Sequence, residues 1–513
     1  MTTRMKQTHN TRRAPWLVSM ALGAVAGLAA SSAANAQEVD HLVRPANLHK
    51  EALGCASGPG YHCRAHRWVN DEGSPFIAPR ASTPQGLAPA DIVSAYKIDT
   101  TLGTGATVAI VDAYAYDLAE SDLAAYRTQY KLPACSVASG CLKIVGGTGG
   151  AAPKGNDGGN GWNGEAALDL DMVSAACPNC KILLILATSA SNSALDAGEQ
   201  TAATLGATTV SNSWGGADSN PSSEEKYFEV TPPIGIFVAA GDSGYNNGGQ
   251  GPDYPSTSLY VIGVGGTVLT KSTSAARGWT EAPWSDAGSS CSTTFAKPSY
   301  QTAFVPAAAC AGRAASDVSA VADQIATYQS GWQLVGGTSA ASPLAAAMFA
   351  MSGHGSAKAD FVYANATAFF DITTATKNGT CGSPMCAGAV GWDGPTGLGT
   401  PNVASLAAIG GSAGGGGSAG GGGTAGGGGT ASGGGGGTAG GGGTASGGGG
   451  GTTTMHDMAM PAPDDMAVGS GGGGGEAGGT GSGGGEAGGT GSAGGTGSAG
   501  GTGSAGGGGK SGG

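Results

Sequence analysis

An α/β fold built on a mainly parallel central sheet, with helices on its flanks, is the architecture this sequence predicts. Three observations carry it: runs of strand length recur through the middle of the chain, the runs are apolar enough to be buried on both faces, and helical or turn-rich spans separate them. Strands of that kind joined through helices assemble as parallel βαβ units, because each crossover lays a helix against the sheet. The first run is 107–111 (TVAIV), followed by an amphipathic stretch at 118–130. The others are 181–186 (KILLIL), 208–211 (TTVS), 235–239 (GIFVA) and 260–264 (YVIGV).

The chain has 513 residues, but its 102 glycines crowd into the last part. Beyond Ile409 it becomes Gly/Ala/Ser/Thr repeats, interrupted by 455–468 (MHDMAMPAPDDMAV). Such composition cannot bury a core, so 410–513 reads as a flexible spacer. Residues 87–409 have the size of one catalytic domain. Residues 37–86 are polar and Pro-rich without clear periodicity, and read as a short propeptide or N-terminal extension. Ahead of them, basic Arg4, Lys6, Arg12 and Arg13, the apolar run 16–30 and the small-residue site Ala34-Asn35-Ala36 make up a three-part secretory signal. Cleavage is expected after Ala36, giving a secreted mature chain without a transmembrane segment; Arg12-Arg13 leaves the export route open.

A formal net charge of −12 with no basic stripe argues against nucleic-acid or anionic-membrane partners. The ten cysteines fall as neighbours in sequence: Cys55 with Cys63, Cys135 with Cys141, Cys177 with Cys180, Cys291 with Cys310, and Cys381 with Cys386. Local disulfides are the simplest account in an oxidising compartment. Cys177-Pro178-Asn179-Cys180 also fits a redox or zinc motif, although no second Cys or His pair is placed to complete a zinc site.

The chemistry centres on Gly336-Gly337-Thr338-Ser339-Ala340-Ala341-Ser342-Pro343, which leads into the apolar helical run 344–351. A serine at a turn-to-helix junction sits at the positive end of the helix, where a nucleophile and its developing anion are favoured; an ordinary N-cap serine shares that context. A hydroxyl nucleophile needs a base. Of the seven histidines only His354 lies in 87–409, fifteen residues after Ser339 and at the far end of the same helix. A subtilisin-like Asp/His/Ser relay from Asp112 would need a histidine between it and Ser339, and none is there. Trp162-Asn163-Gly164-Glu165-Ala166-Ala167-Leu168-Asp169-Leu170-Asp171 offers an alternative, since Glu165 and Asp169 share one helical face. Such a pair is often a solvated face, but two coupled carboxyls also share a proton at mildly acid pH, so Glu165 could take the serine proton while Asp169 orients it. Asp171 faces elsewhere. Asp242, in Ala240-Gly241-Asp242-Ser243-Gly244 after the 235–239 run, is either a turn aspartate or, protonated, a donor to an oxyanion.

Gly-Thr-Ser339-Ala-Ala-Ser-Pro, Glu165-Ala-Ala-Leu-Asp169, Gly-Asp242-Ser-Gly and the missing core histidine together resemble the sedolisins, the serine-carboxyl peptidases, over 87–409 and in the family's order. The resemblance implies a subtilisin-like fold and cleavage of proteins or peptides at acid pH. Ser339 is then the nucleophile, Glu165 the general base, Asp169 its partner and Asp242 the oxyanion donor. It also implies one structural Ca2+, held by the carboxylates of Asp371 and Asp393 with the carbonyls of Ile372, Ala389 and Gly391 and one water, a hard-cation shell of six oxygens. A monomer is the expected state. Two rivals remain: a non-catalytic secreted binding or adhesion protein on the same scaffold, and a neutral subtilisin-like protease.

Overall fold

The computed structural model describes residues 47–410 apart from 56–59, 76, 79–83, 156–160, 219–222 and 383. The expected leader and the tail beyond residue 410 lie outside these residues. Each apolar run forms a strand of one sheet, in the order Trp279–Pro283, Ile262–Lys271, Gly235–Ala239, Thr209–Asn212, Thr107–Ala113, Lys181–Ala187, Leu142–Gly146. Val318–Val321 also pairs with Ile262–Lys271. Every pairing is parallel except that of Trp279–Pro283. The expected parallel α/β sheet is therefore present, and Val108, Ala109, Ile110 and Val111, like Ile182, Leu183, Leu184 and Ile185, are buried in succession as two-sided strands require.

Two helices bring the candidate residues together. Trp162–Ala176 packs against Thr338–Met351, and every residue of the latter is buried. That helix starts six residues before the apolar run that announced it. Its interior Pro343 has no N–H to give to the carbonyl four residues back. That carbonyl, of Ser339, instead accepts a hydrogen bond from the Ser213 hydroxyl at 3.2 Å, so the local defect ties the start of the helix to the neighbouring strand.

The stretch before residue 87, aperiodic in sequence, contributes strands to two smaller sheets. His49–Ala52 pairs with His66–Val69, which pairs with Trp332–Gly336, and Ile325–Tyr328 completes that row. His62–Cys63 pairs with Trp214–Ala217, which pairs with Asp253–Tyr254. All ten cysteines form the five local disulfides expected, including Cys177–Cys180, so neither sulfur of that motif is free to ligate zinc. No helix among the described residues is long and apolar enough to cross a membrane.

Candidate active site

Ser339 is the second residue of its helix and is fully buried. The chain enters through Gly337 at φ +133°, a conformation that favours glycine. An added Cβ there would lie 2.3 Å from the Arg64 carbonyl oxygen and 2.6 Å from Asp242 Oδ2. The first N–H groups of a helix lack partners within it. Here Thr338 N–H donates to Asp242 Oδ1 at 2.8 Å and Ser339 N–H to the Arg64 carbonyl at 3.0 Å. The Thr338 hydroxyl also donates to Asp242 Oδ1, at 2.7 Å, leaving Oδ2 buried without a hydrogen bond to any described residue.

Glu165 and Asp169 lie one turn apart on Trp162–Ala176, both fully buried. Asp169 Oδ1 accepts from the Ser213 hydroxyl at 2.8 Å, while among the described residues neither Glu165 oxygen has a partner within ordinary hydrogen-bond geometry. The Ser339 hydroxyl is near enough to Glu165 to favour its charged form, but its own hydrogen bond, at 3.2 Å, goes to the Ser213 carbonyl. Burial, then the charge of Asp112, push the Glu165 carboxyl well above the ordinary range. Burial, Asp112 and Glu165 do the same to Asp169. The four expected catalytic side chains thus converge from two helices and the loop after Gly235–Ala239.

Asp112, at the end of the strand Thr107–Ala113, joins this cluster with neither oxygen hydrogen-bonded to a described residue, and burial pushes it up to about 8. Its only sequence signal is its place at the C-terminal end of a buried strand, where parallel sheets present functional groups. Asp171 points away as expected, accepting from Tyr328 N–H at 2.8 Å. His354 is also remote, with Nε2 bonded to the Leu406 carbonyl at 2.8 Å. A second histidine reaches the site from outside 87–409. His66 stacks on Trp284, with Nδ1 3.5 Å from Asp242 Oδ2, and among the described residues no hydrogen bond joins it to Ser339.

A lid of N-terminal residues explains the burial. The sulfurs of Cys55 and Cys63 and a Glu165 oxygen lie within 4.8 Å of one another. With both sulfurs in a disulfide, this grouping is a cover over the carboxyl and holds no metal. In the expected calcium loop, Asp371 accepts from Gly391 N–H at 2.9 Å and Asp393 from Ala389 N–H at 3.1 Å. Burial, reinforced by Asp371, pushes Asp393 up to about 7. Among the described residues the carbonyls of Ile372, Ala389 and Gly391 accept no hydrogen bond. Two close carboxylates beside three free carbonyls fit a hard cation.

Residues 144–392 match the subtilase family. The chain is 32% identical over 364 residues to kumamolisin of Bacillus sp. (strain MN-32), a match covering 63% of each. It is 30% identical over 225 residues to tripeptidyl-peptidase sed1 of Aspergillus fumigatus, covering 34% of this chain and 35% of that protein. The matches thus span less than two thirds of either relative's length. The fold is similar to that of a Pseudomonas sedolisin, described as a serine-carboxyl proteinase in complex with pseudo-iodotyrostatin, at a TM-score of 0.53 and 22% identity. That likeness covers 64% of this chain and 98% of the other, and gives the fold as subtilisin-like.

Proposed function

Since the chain belongs to the sedolisin family, we propose that it is a secreted serine-type endopeptidase that hydrolyses peptide bonds in proteins at acid pH. The reading rests on one observation: a peptide carbonyl accepts from Ser339 N–H at 3.0 Å, in a site where the hydroxyl adjoins Glu165 and no histidine among the described residues is bonded to it. Ser339 Oγ attacks the carbonyl carbon and its proton passes to Glu165. A carboxylate raised by burial is a stronger base than one in water, and it takes the alcohol proton when the coupled acids carry one negative charge between them. Asp169 orients Glu165 and shares the charge. Asp242, in its acid form, donates to the oxyanion beside Ser339 N–H, a contribution worth about 10²- to 10³-fold in rate for a single donor. Glu165 then protonates the leaving amine, and water releases the acyl group by the reverse path.

The donor set at Asp371 and Asp393 supports one structural Ca2+, completed by the carbonyls of Ile372, Ala389 and Gly391 and a water. Its role is to neutralise two carboxylates and pin the loop 388–399. Digestion of casein at acid and neutral pH, with Ser339→Ala in parallel, tests the proposal. Acid-limited cleavage that disappears in the variant is expected; equal signals from both proteins would remove the enzymatic reading.

A further inference from the structure

The segment that covers the site runs through it extended, so its side chains mark what each position along the cleft can hold. His62 and Cys63 pair antiparallel with Gly215 and Trp214, Arg64 N–H donates to the Ser213 carbonyl at 2.9 Å, and the Arg64 carbonyl accepts from Ser339 N–H at 3.0 Å. The Arg64 side chain is paired with Asp253. On the opposite edge Tyr61 N–H donates to the Ala190 carbonyl at 3.0 Å, which holds the segment between two backbone runs. Counted back from the carbonyl beside Ser339, Tyr61 is the fourth residue on the acyl side.

Tyr61 fills a pocket with an aromatic wall and an acid floor. Its ring is buried and stacks on Trp214, with centroids 4.6 Å apart and planes at 23°, and the Tyr254 ring stands 6.5 Å away. Its hydroxyl reaches Asp196, on the helix Asn192–Thr204, closely enough to favour the charged form of that carboxyl. A row of polar side chains continues inward: Glu199 lies one turn on from Asp196, and Asn212 adjoins Glu199. Asp196, Glu199 and Asn212 are fully buried, and neither their side chains nor the Tyr61 hydroxyl has a partner of ordinary hydrogen-bond geometry among the described residues.

Burial, then the charge of Glu224, push the Asp196 carboxyl up to about 8, and burial and Asp196 push Glu199 well above the ordinary range. At acid pH Asp196 is therefore uncharged, and a neutral hydroxyl suits its carbonyl oxygen better than a cation does. Burial and the same acid hold the Tyr61 phenol above its ordinary range, so it remains a donor. An apolar ring in this pocket would leave the carboxyl desolvated and unpaired, which costs more than a hydrogen bond returns.

We propose that Asp196 is a specificity-determining residue that reads the hydroxyl of the ring seated on Trp214, so that the site takes tyrosine over phenylalanine as the fourth residue on the acyl side of the cleaved bond. The inference rests on the peptidase reading above and narrows its substrate class. Trp214 gives either ring the same stacking and selects aromatics without telling the two apart. Asp196 supplies the difference.

The test compares quenched peptides Gly-X-His-Ser-Arg-Ala-His, with X as Tyr, Phe, Leu or Lys, by kcat/KM for the product cut after Arg, using the full chain at acid pH. The peptides follow residues 60–66 with serine in place of Cys63. The Tyr peptide should exceed the Phe peptide about tenfold, and the Leu and Lys peptides by more. Asp196→Leu, which keeps the branch at Cγ and removes the oxygens, should reverse the order of Tyr and Phe. Asp196→Asn, whose amide oxygen still accepts, should preserve it. A carboxyl that only supported its helix would change all four rates together and leave the Tyr-to-Phe ratio as it was. Equal rates for Tyr and Phe, Lys ahead of Tyr, or an unchanged ratio in Asp196→Leu overturns this inference and leaves the peptidase standing. Failure to cleave any peptide or casein overturns both.

Discussion

Two pairs of acidic and neighbouring residues, each spaced by four in sequence, meet opposite fates in the same core. Arg313 and Asp317 are completely buried, and Asp317 accepts from the two terminal Arg313 nitrogens, Gly263 N–H, Gln301 and Tyr363 at 2.6–3.1 Å. Glu165 and Asp169 are equally buried, yet between them they accept one hydrogen bond from a described residue, that of Ser213, and they face a third acid in Asp112. The first carboxylate carries its charge on a complete set of fixed donors. In the second cluster a proton is the readiest counter-ion, and proton exchange is what a general base does. Donor supply, not burial, separates the structural acid from the chemical one.

The sharpest way to break this comparison is to remove one acid from each side. Asp317→Ala strands the Arg313 guanidinium and should cost about 3–5 kcal/mol in denaturant melts, whereas Asp169→Asn, which removes a charge no cation balances, should cost less than about 1 kcal/mol. Equal losses would mean that the donor count is irrelevant. The proposed calcium loop is an intermediate case, two acids awaiting a cation. Chelation by EDTA should lower stability by about 2–3 kcal/mol, as loss of a ligand held well above its dissociation constant does, and Asp371→Ala with Asp393→Ala should abolish the response. An identical EDTA response in the double variant would refute that assignment.

The acid cluster also sets a pH dependence. Glu165, Asp169 and Asp112 all have folded pKa values above their unfolded ones, so the folded state binds more protons between the two values. Stability therefore falls as pH rises from the ordinary carboxylate range through the raised values, at up to about 1.4 kcal/mol per pH unit for each group titrating alone. Melting temperature should decline towards neutrality, and less steeply in Asp169→Asn. A curve rising over that range would contradict the coupling.

Much of this was legible in the sequence because it is local. The strands announced themselves as apolar runs, the disulfides join cysteines 3 to 19 residues apart, and Glu165 with Asp169 needs only helical spacing. What escaped is long-range. Asp112 joins the acids only through the strand order, and the Arg64–Asp253 pair closes over 189 residues. The segment 49–69 forms strands of only two to four residues whose partners lie far along the chain, so no periodicity could reveal them. His66, set aside as part of the extension, reaches Asp242 by the same route. Ser213, bonded to Asp169 and to the Ser339 carbonyl, has no motif of its own.

Glu165→Gln keeps the shape of the carboxyl and removes its basicity, so its activity on an acid-cleaved peptide, measured beside its melting curve, bears most directly on a hydroxyl activated by buried acids. The expected result is a loss of about 10³-fold in kcat/KM with a melting temperature equal to or above that of the wild type. Activity within about tenfold of the wild type, in a folded protein, would show that Ser339 takes its base from elsewhere.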